Sequence, residues 1–237
     1  MLCRNPGVVL DDEVTEGDGD ARMSHVQQRD VPVGKALKWT SVKFLQHIPG
    51  DLTLMPTEKV RFCEAVSRAA EGEWILTPET VCCAGAQRCF GWLKGADRDL
   101  AWKLADKLQV SATTAGTAIA DVPILPERFE AVWVGTDSAP DVYVAYVLPE
   151  TAMRIVRSWQ RIYGTSLPLT VSGIMSVCGS VVVNSYVNHT VSLSFGCPDS
   201  RRYGGIRREQ LVVAMPADLL TKMRRATEDT DVLFSGG

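Results

Sequence analysis

Residues 193–205 read LSFGCPDSRRYGG, a stretch in which an apolar run ends at a glycine and continues into a loop. The run that leads into it, residues 190–195, has the β-prone composition of a strand. Gly196 and Pro198 are residues that end one element and delay the start of the next. The stretch therefore predicts a strand, followed by a loop that carries Cys197 at the end of the strand.

The loop places a thiol close in sequence to two guanidinium groups. Arg201 and Arg202 follow Cys197 by four and five residues. Nearby cations lower the pKa of a thiol or bind an anionic ligand beside it. Ser200 and Arg88 complete the set of candidate anion-binding residues. The alternative interpretation is a solvated turn with a half-buried structural cysteine, since most cysteines are structural.

Strand-like and helical segments alternate along the rest of the chain. Two of the strand-like segments flank a turn, and this arrangement predicts a β-hairpin of residues 129–135 and 142–148. Interleaved strands and helices favour one layered α/β or α+β domain, with a mixed β-sheet and packed helices. The remaining strands are predicted at residues 37–44, 73–77 and 210–215. The helices are predicted at residues 56–72, 97–109, 149–163, 181–187 and 216–228, with a further helix that begins at Thr77-Pro78-Glu79.

The composition is that of an ordinary globular protein, with 46% hydrophobic and 22% charged residues. A chain of 237 residues can bury a sizeable core. Residues 1–22 contain six acidic residues and two arginines and have no periodicity, which predicts a disordered acidic tail or an over-extended start before Met23. The remainder, residues 23–237, is predicted to be a single globular domain.

Several classes of protein are disfavoured by the same composition. No apolar run reaches the roughly 20 residues of a membrane helix, and the N-terminus lacks the basic and apolar regions of a secretory signal. Outside residues 1–22 the chain is nearly neutral and its basic pairs are scattered, which argues against nucleic-acid binding. We therefore expect a cytoplasmic protein whose ligand is a small molecule or a metal.

The cysteines are the most informative reactive residues in the chain. Their odd number, in a chain without an export signal, argues against a disulfide framework and leaves thiols for metal binding or chemistry. None belongs to a CxxC pair, so folding must bring distant segments together to build a site. The seven cysteines are at positions 3, 63, 82, 83, 89, 178 and 197.

Four separated blocks of the sequence resemble a known family, domain of unknown function 169, over roughly residues 30–225. The resemblance implies that Cys3, Cys82 and Cys89 are peculiar to this chain, and it implies no activity. The blocks are VRFC at 60–63, CAGA and FGW within 83–92, SVCG at 176–179, and FGCPDSRRYGG at 195–205 followed by LVVAMP at 211–216. The cysteines that fall in these recurring blocks are Cys63, Cys83, Cys178 and Cys197.

The sequence leaves three functional hypotheses open, and it does not decide whether the protein is an enzyme. In the first, four cysteine thiolates bind zinc or an iron–sulfur cluster with a redox or metabolic role. In the second, Cys197 is the nucleophile of a metal-free enzyme that acts on an anionic substrate held by Arg201 or Arg202. In the third, the same loop binds an anionic small molecule without catalysis. The metal ligands of the first hypothesis are Cys63, Cys83, Cys178 and Cys197, which should converge, while Cys3 and Cys89 should lie apart.

Overall fold

A computed structural model describes residues 38–50, 58–93, 95, 97–136, 139–169 and 171–226. The prediction for residues 1–22 lies outside these ranges. Within them, six strands form one sheet in the order β2-β3-β1-β4-β6-β5, and all of its pairings are antiparallel. The strands are β1 (Thr40–Leu45), β2 (Trp74–Leu76), β3 (Ala131–Gly135), β4 (Val142–Val147), β5 (Ser192–Ser194) and β6 (Leu211–Pro216).

Helices pack against both faces of this sheet, which confirms the predicted layered α/β fold, although its sheet is antiparallel rather than mixed. No helix within the described ranges has both the length and the apolar character needed to cross a membrane. The helices are α1 (Phe62–Arg68), α2 (Ala84–Cys89), α3 (Asp97–Leu108), α4 (Ala112–Ala120), α5 (Pro149–Tyr163), a π-helix (Ser176–Val183), α6 (Asn184–Asn188), α7 (Pro198–Tyr203) and α8 (Ala217–Ala226).

The predicted hairpin of residues 129–135 and 142–148 is wrong in its pairing, although both segments are strands. β1 lies between β3 and β4, so that Val42 is paired with Val134 on one side and with Val142 on the other. Alternating apolar residues identify a strand but do not select its neighbour. The inner position of β1 follows from the complete burial of Val42, which gains from having a strand on either side.

The helix predicted to begin at Thr77-Pro78-Glu79 is also wrong. The Thr80 hydroxyl accepts a hydrogen bond from the Thr77 amide at 2.8 Å, and residues 78–80 form a turn. Local side-chain hydrogen bonds of this kind compete with helix formation. The turn leads to Val81, which forms a parallel bridge with Val60, and α2 begins only afterwards.

The alternation of side chains along the strands divides the core into two layers. One face of the sheet carries Val42 and Phe44 and is covered by α1, α2 and the π-helix. The opposite face carries Val213 and Met215 and is covered by α5 and α8. All cysteines of the described ranges that are buried belong to the first layer, so the candidate site lies on that side.

The π-helix is an unusual element of this layer. Each of its eight residues is buried, and the residue before it, Met175, has left-handed backbone angles (φ 46°, ψ 39°). π-helical turns are rare and occur frequently at functional sites. Together with α6 it accounts for the helix predicted at 181–187, but the prediction did not anticipate its start at Ser176 or its wider winding.

Candidate functional site

The four cysteines predicted as metal ligands all lie at the starts of helices. Cys63 is the second residue of α1 and Cys178 is the third residue of the π-helix. Cys83 and Cys197 are the residues that immediately precede α2 and α7. The first turn of a helix has backbone N–H groups without intrahelical acceptors, so the local potential is positive. We call these four residues the thiol site.

Electrostatic interactions link the residues of the thiol site. Cys63 interacts electrostatically with Cys83 and Cys197, and Cys178 interacts with the same two thiols. Cys83 and Cys197 also interact with each other, so five of the six pairs are close enough for their charges to be felt. These residues come from four distant segments, and their proximity therefore depends on the tertiary fold.

Glycines allow the helices to approach closely at this site. A Cβ atom on Gly204 would lie 2.6 Å from the Ser200 carbonyl oxygen and 3.0 Å from the Cβ of Cys63. A Cβ atom on Gly85 would lie 2.7 Å from Cγ of Met175. The contact between Gly204 and Cys63 joins α7 to α1, so a larger residue at Gly204 would push these two helices apart, whereas at Gly85 the flexible side chain of Met175 would have to move.

Polar contacts within the loop fix the position of Cys197. The Cys197 amide donates to the Ser200 hydroxyl at 2.8 Å, and that hydroxyl donates to the Cys197 carbonyl at 2.9 Å. The Arg201 guanidinium donates to the carbonyls of Phe195, Arg207 (2.9 Å) and Gln210 (3.4 Å). Ser200 and Arg201, both predicted to bind an anion from a loop, instead belong to α7 and make structural contacts with nearby backbone.

Arg88 has a comparable structural role. Its side chain is 3% exposed, and its Nε donates to a carboxylate oxygen of Asp97 at 2.6 Å. A second nitrogen donates to the Val122 carbonyl at 2.8 Å, which ties α2 to α3 and to the segment after α4. Of the three arginines predicted to bind an anion, Arg202 is the one whose guanidinium has no polar partner among the described residues.

Burial is the main influence on the ionisation of the thiols. Burial raises the pKa of Cys63 and of Cys83, and the neighbouring thiols raise them further, whereas Arg61 lowers the pKa of Cys63. A hydrogen bond with Cys89, followed by burial, raises the pKa of Cys178. These three thiols therefore stay protonated at neutral pH without a metal, and a metal that binds them must displace protons.

Cys89 lies beside the site rather than apart from it, contrary to the prediction. It is completely buried at the end of α2, its thiol donates to the sulfur of Met175 at 3.7 Å, and it raises the pKa of the neighbouring Cys178 thiol. The prediction missed this because Cys89 is in the last turn of α2, six residues from Cys83, and only the packing of α2 on the π-helix brings it to Cys178. Cys3 is outside the described residues.

Two further residues border the site that sequence patterns did not single out. The Tyr146 hydroxyl donates to the Cys63 carbonyl at 3.2 Å, and burial raises the pKa of this tyrosine. Asp199 forms an ion pair with Lys107 at 3.8 Å and raises the pKa values of Cys63 and Cys83. Asp199 was visible in the loop sequence, whereas Tyr146 lies on β4 and gave no signal.

Within the described ranges, no group of three or more His, Cys, Asp or Glu side chains is arranged to hold a metal ion.

The described residues form an α/β fold in which helices cover both faces of an antiparallel sheet. The model of the family domain of unknown function 169, described as uncharacterised ArCR, matches residues 36–226. The chain belongs to this family, and the resemblance seen in the sequence blocks is confirmed. An uncharacterized protein of Methanocaldococcus jannaschii is 28% identical over 195 residues, which is 78% of this chain and 83% of that protein. No solved structure matches the chain.

Proposed function

We propose that this protein holds an iron–sulfur cluster ligated by the thiol site and uses it in a redox or metabolic role. The observation that carries the proposal is the electrostatic interaction among four thiols from separate segments, those of Cys63, Cys83, Cys178 and Cys197. Thiolates are the ligands that iron–sulfur clusters require. Core packing alone does not require a thiol at the start of each of four helices.

The arrangement of the thiols favours a cluster over a single metal ion, because within the described residues no three His, Cys, Asp or Glu side chains are grouped to hold one ion. The thiol of Cys178 donates to the Met175 carbonyl at 3.6 Å and that of Cys89 donates to the Met175 sulfur at 3.7 Å, and we do not count Cys89 as a ligand. A tetrahedral zinc ion holds its four sulfurs at about 2.3 Å from one centre. A cluster distributes its ligands around several irons and so accepts wider spacing.

The surroundings also suit a negatively charged centre. The backbone N–H groups of Ala86 and Gly85 favour the ionised form of Cys83, and Arg61 adds a positive charge near Cys63. Cys63 and Cys178 are 8% and 6% exposed, whereas Cys83 and Cys197 are partly exposed. One side of the centre would therefore be open to solvent. Solvent exposure is one of the factors that set the reduction potential of a cluster.

Anaerobic reconstitution with ferrous iron and sulfide tests the proposal. We expect a coloured protein that contains both iron and sulfide, and we expect serine at any one of the four positions to remove most of both. Cys89→Ser is the matched control, because it changes a buried thiol at the same site and should retain iron. The measurements are iron, sulfide and zinc analysis, visible absorption, and circular dichroism to confirm folding.

Two results would contradict a cluster at these residues. One is wild-type protein that is folded, colourless and free of iron after reconstitution. The other is a Cys89→Ser variant that loses as much iron as Cys63→Ser. Uptake of zinc alone, in a colourless protein, would replace the cluster with a single-ion site.

A second candidate function, a metal-free thiol enzyme, is favoured by the accessibility of Cys197. This residue is partly exposed at the surface loop, while Cys63 and Cys178 are buried and their pKa values are raised. In the metal-free folded protein we expect iodoacetamide to label Cys197 well before either of them, since the reactive species is an accessible thiolate. Peptide mass spectrometry over time measures this, with urea-unfolded protein as the control in which these three thiols all react. Equal rates for the three cysteines in the folded protein would remove Cys197 as a candidate nucleophile.

A further inference from the structure

We propose that Arg61, Arg202 and Tyr203 form a binding site for the carboxylate or phosphate group of a small anionic substrate beside the thiol site. Arg61 immediately precedes α1, while Arg202 and Tyr203 are the last two residues of α7. The site names the substrate class of the proposed function. The description of the anion as a substrate rests on the proposed function. The binding of the anion does not, because it needs no metal.

The geometry of the two guanidinium groups is the first argument. Cζ of Arg61 lies 3.7 Å from the centre of the Tyr203 ring, and Cζ of Arg202 lies 5.3 Å from the same point. A guanidinium that stacks on a ring is held by its flat face, and its N–H donors remain free at the edge. Because both groups share one ring, the two Cζ atoms can be no further apart than the sum of these distances.

The lack of acidic partners is the second argument. Nearby Arg68 and Arg207 form ion pairs with glutamates, and Arg201 donates to backbone carbonyls. Within the part of the chain that the structure describes, Arg61 and Arg202 form no such pair. The positive charges of Arg61 and Arg202, which lie near the same ring, repel each other. A bound oxyanion would offset the repulsion and accept charge-assisted hydrogen bonds from both groups.

The position of the pair links it to the thiol site. Arg61 is two residues before Cys63, and its charge lowers the pKa of that thiol. Tyr203 precedes Gly204, which packs directly on the backbone of Cys63. Arg61 and Tyr203 are half-buried and Arg202 is exposed, so that a ligand can reach the pair from solvent. An anion held here would lie next to Cys63, at the edge of the proposed metal centre.

Titration calorimetry at low ionic strength tests the site, with inorganic phosphate and citrate as separate probes. We expect wild-type protein to bind at least one probe, and Arg61→Gln and Arg202→Gln each to weaken that binding by about tenfold, since each removes a charged donor. Arg208→Gln is the matched control, because it removes the same charge from an exposed arginine on the loop after α7. We expect it to change the affinity by less than about twofold, the effect of a distant surface charge.

The results separate this site from the proposed function. Preference for citrate assigns the carboxylate class, and preference for phosphate assigns the phosphate class. Weakened binding in both variants with unchanged iron content supports the anion site, and it does so whether or not the wild-type protein takes up iron. Failure of wild-type protein to bind either probe would overturn the site, as would equal binding by the variants or an equal loss in Arg208→Gln. Binding to polyglutamate but to neither small probe would also overturn it, and would assign the surface to an acidic macromolecule.

Discussion

Replacing Phe90 with alanine is expected to lower the free energy of unfolding by about 3–5 kcal/mol, the usual cost of truncating a buried aromatic side chain. Phe90 is completely buried at the end of α2. Its ring centre is 5.0 Å from that of Phe62, 5.1 Å from Trp92 and 6.3 Å from Phe44. The alanine variant would leave a cavity between α1, α2 and β1, because these rings cannot all move to fill it.

Urea unfolding of the metal-free protein measures this loss. Phe195→Ala is the matched control, because it truncates the same type of side chain where it is 58% exposed. We expect the control to change stability by less than about 0.5 kcal/mol. A loss below about 1 kcal/mol for Phe90→Ala would mean that the aromatic cluster is not a rigid part of the core.

Replacing Gly204 with alanine is expected to cost about 1–3 kcal/mol of stability by overpacking and to remove most of the iron uptake. The backbone angles of Gly204 (φ −90°, ψ 6°) suit any residue, so the effect is steric. The added methyl group would lie 2.6 Å from the Ser200 carbonyl oxygen and 3.1 Å from the Cys63 carbonyl oxygen. Ser200 belongs to α7, so the first contact distorts the last turn of that helix, while the contact with Cys63 pushes α7 away from α1 and carries Cys197 away from Cys63.

Gly72→Ala is the matched control for this change, because no atom lies within 4 Å of the position of its added methyl group. Its stability and iron content should match those of wild-type protein. The comparison requires equilibrium unfolding and iron analysis of both variants after reconstitution. If Gly204→Ala takes up iron and unfolds like Gly72→Ala, the close approach of α1 and α7 is not needed for the thiol site.

The sequence predicted which segments form strands and helices better than it predicted how they pair. The amphipathic pattern of α5 and its glycine end at Gly164 are local signals, and the structure confirms both. The neighbours of β1 depend on how completely Val42 and Phe44 are buried by strands about 90 residues away. The turn at Thr77 depends on one hydroxyl, that of Thr80, and helix-start signals were stronger in the sequence.

The candidate site was predicted in part. The recurring blocks pointed to the four cysteines, and electrostatic interactions link their thiols in the structure, while their role as metal ligands stays a prediction. The partners of each side chain were beyond prediction, because they come from tertiary contacts. Arg201 is held by backbone carbonyls rather than by a ligand, Cys89 meets Cys178 through the packing of two helices, and Arg61 reaches Tyr203 across α1 and α7.

The inner position of β1 determines when this strand can pair during folding. The strand ends at Leu45, yet its two partners begin at Ala131 and Val142. During translation β1 therefore stays unpaired until β3 and β4 have left the ribosome, and such long-range pairing slows folding and exposes apolar segments to chaperones. Cys197 follows both partner strands in the chain, so a cofactor that needs all four thiols is loaded only after β1 is able to pair.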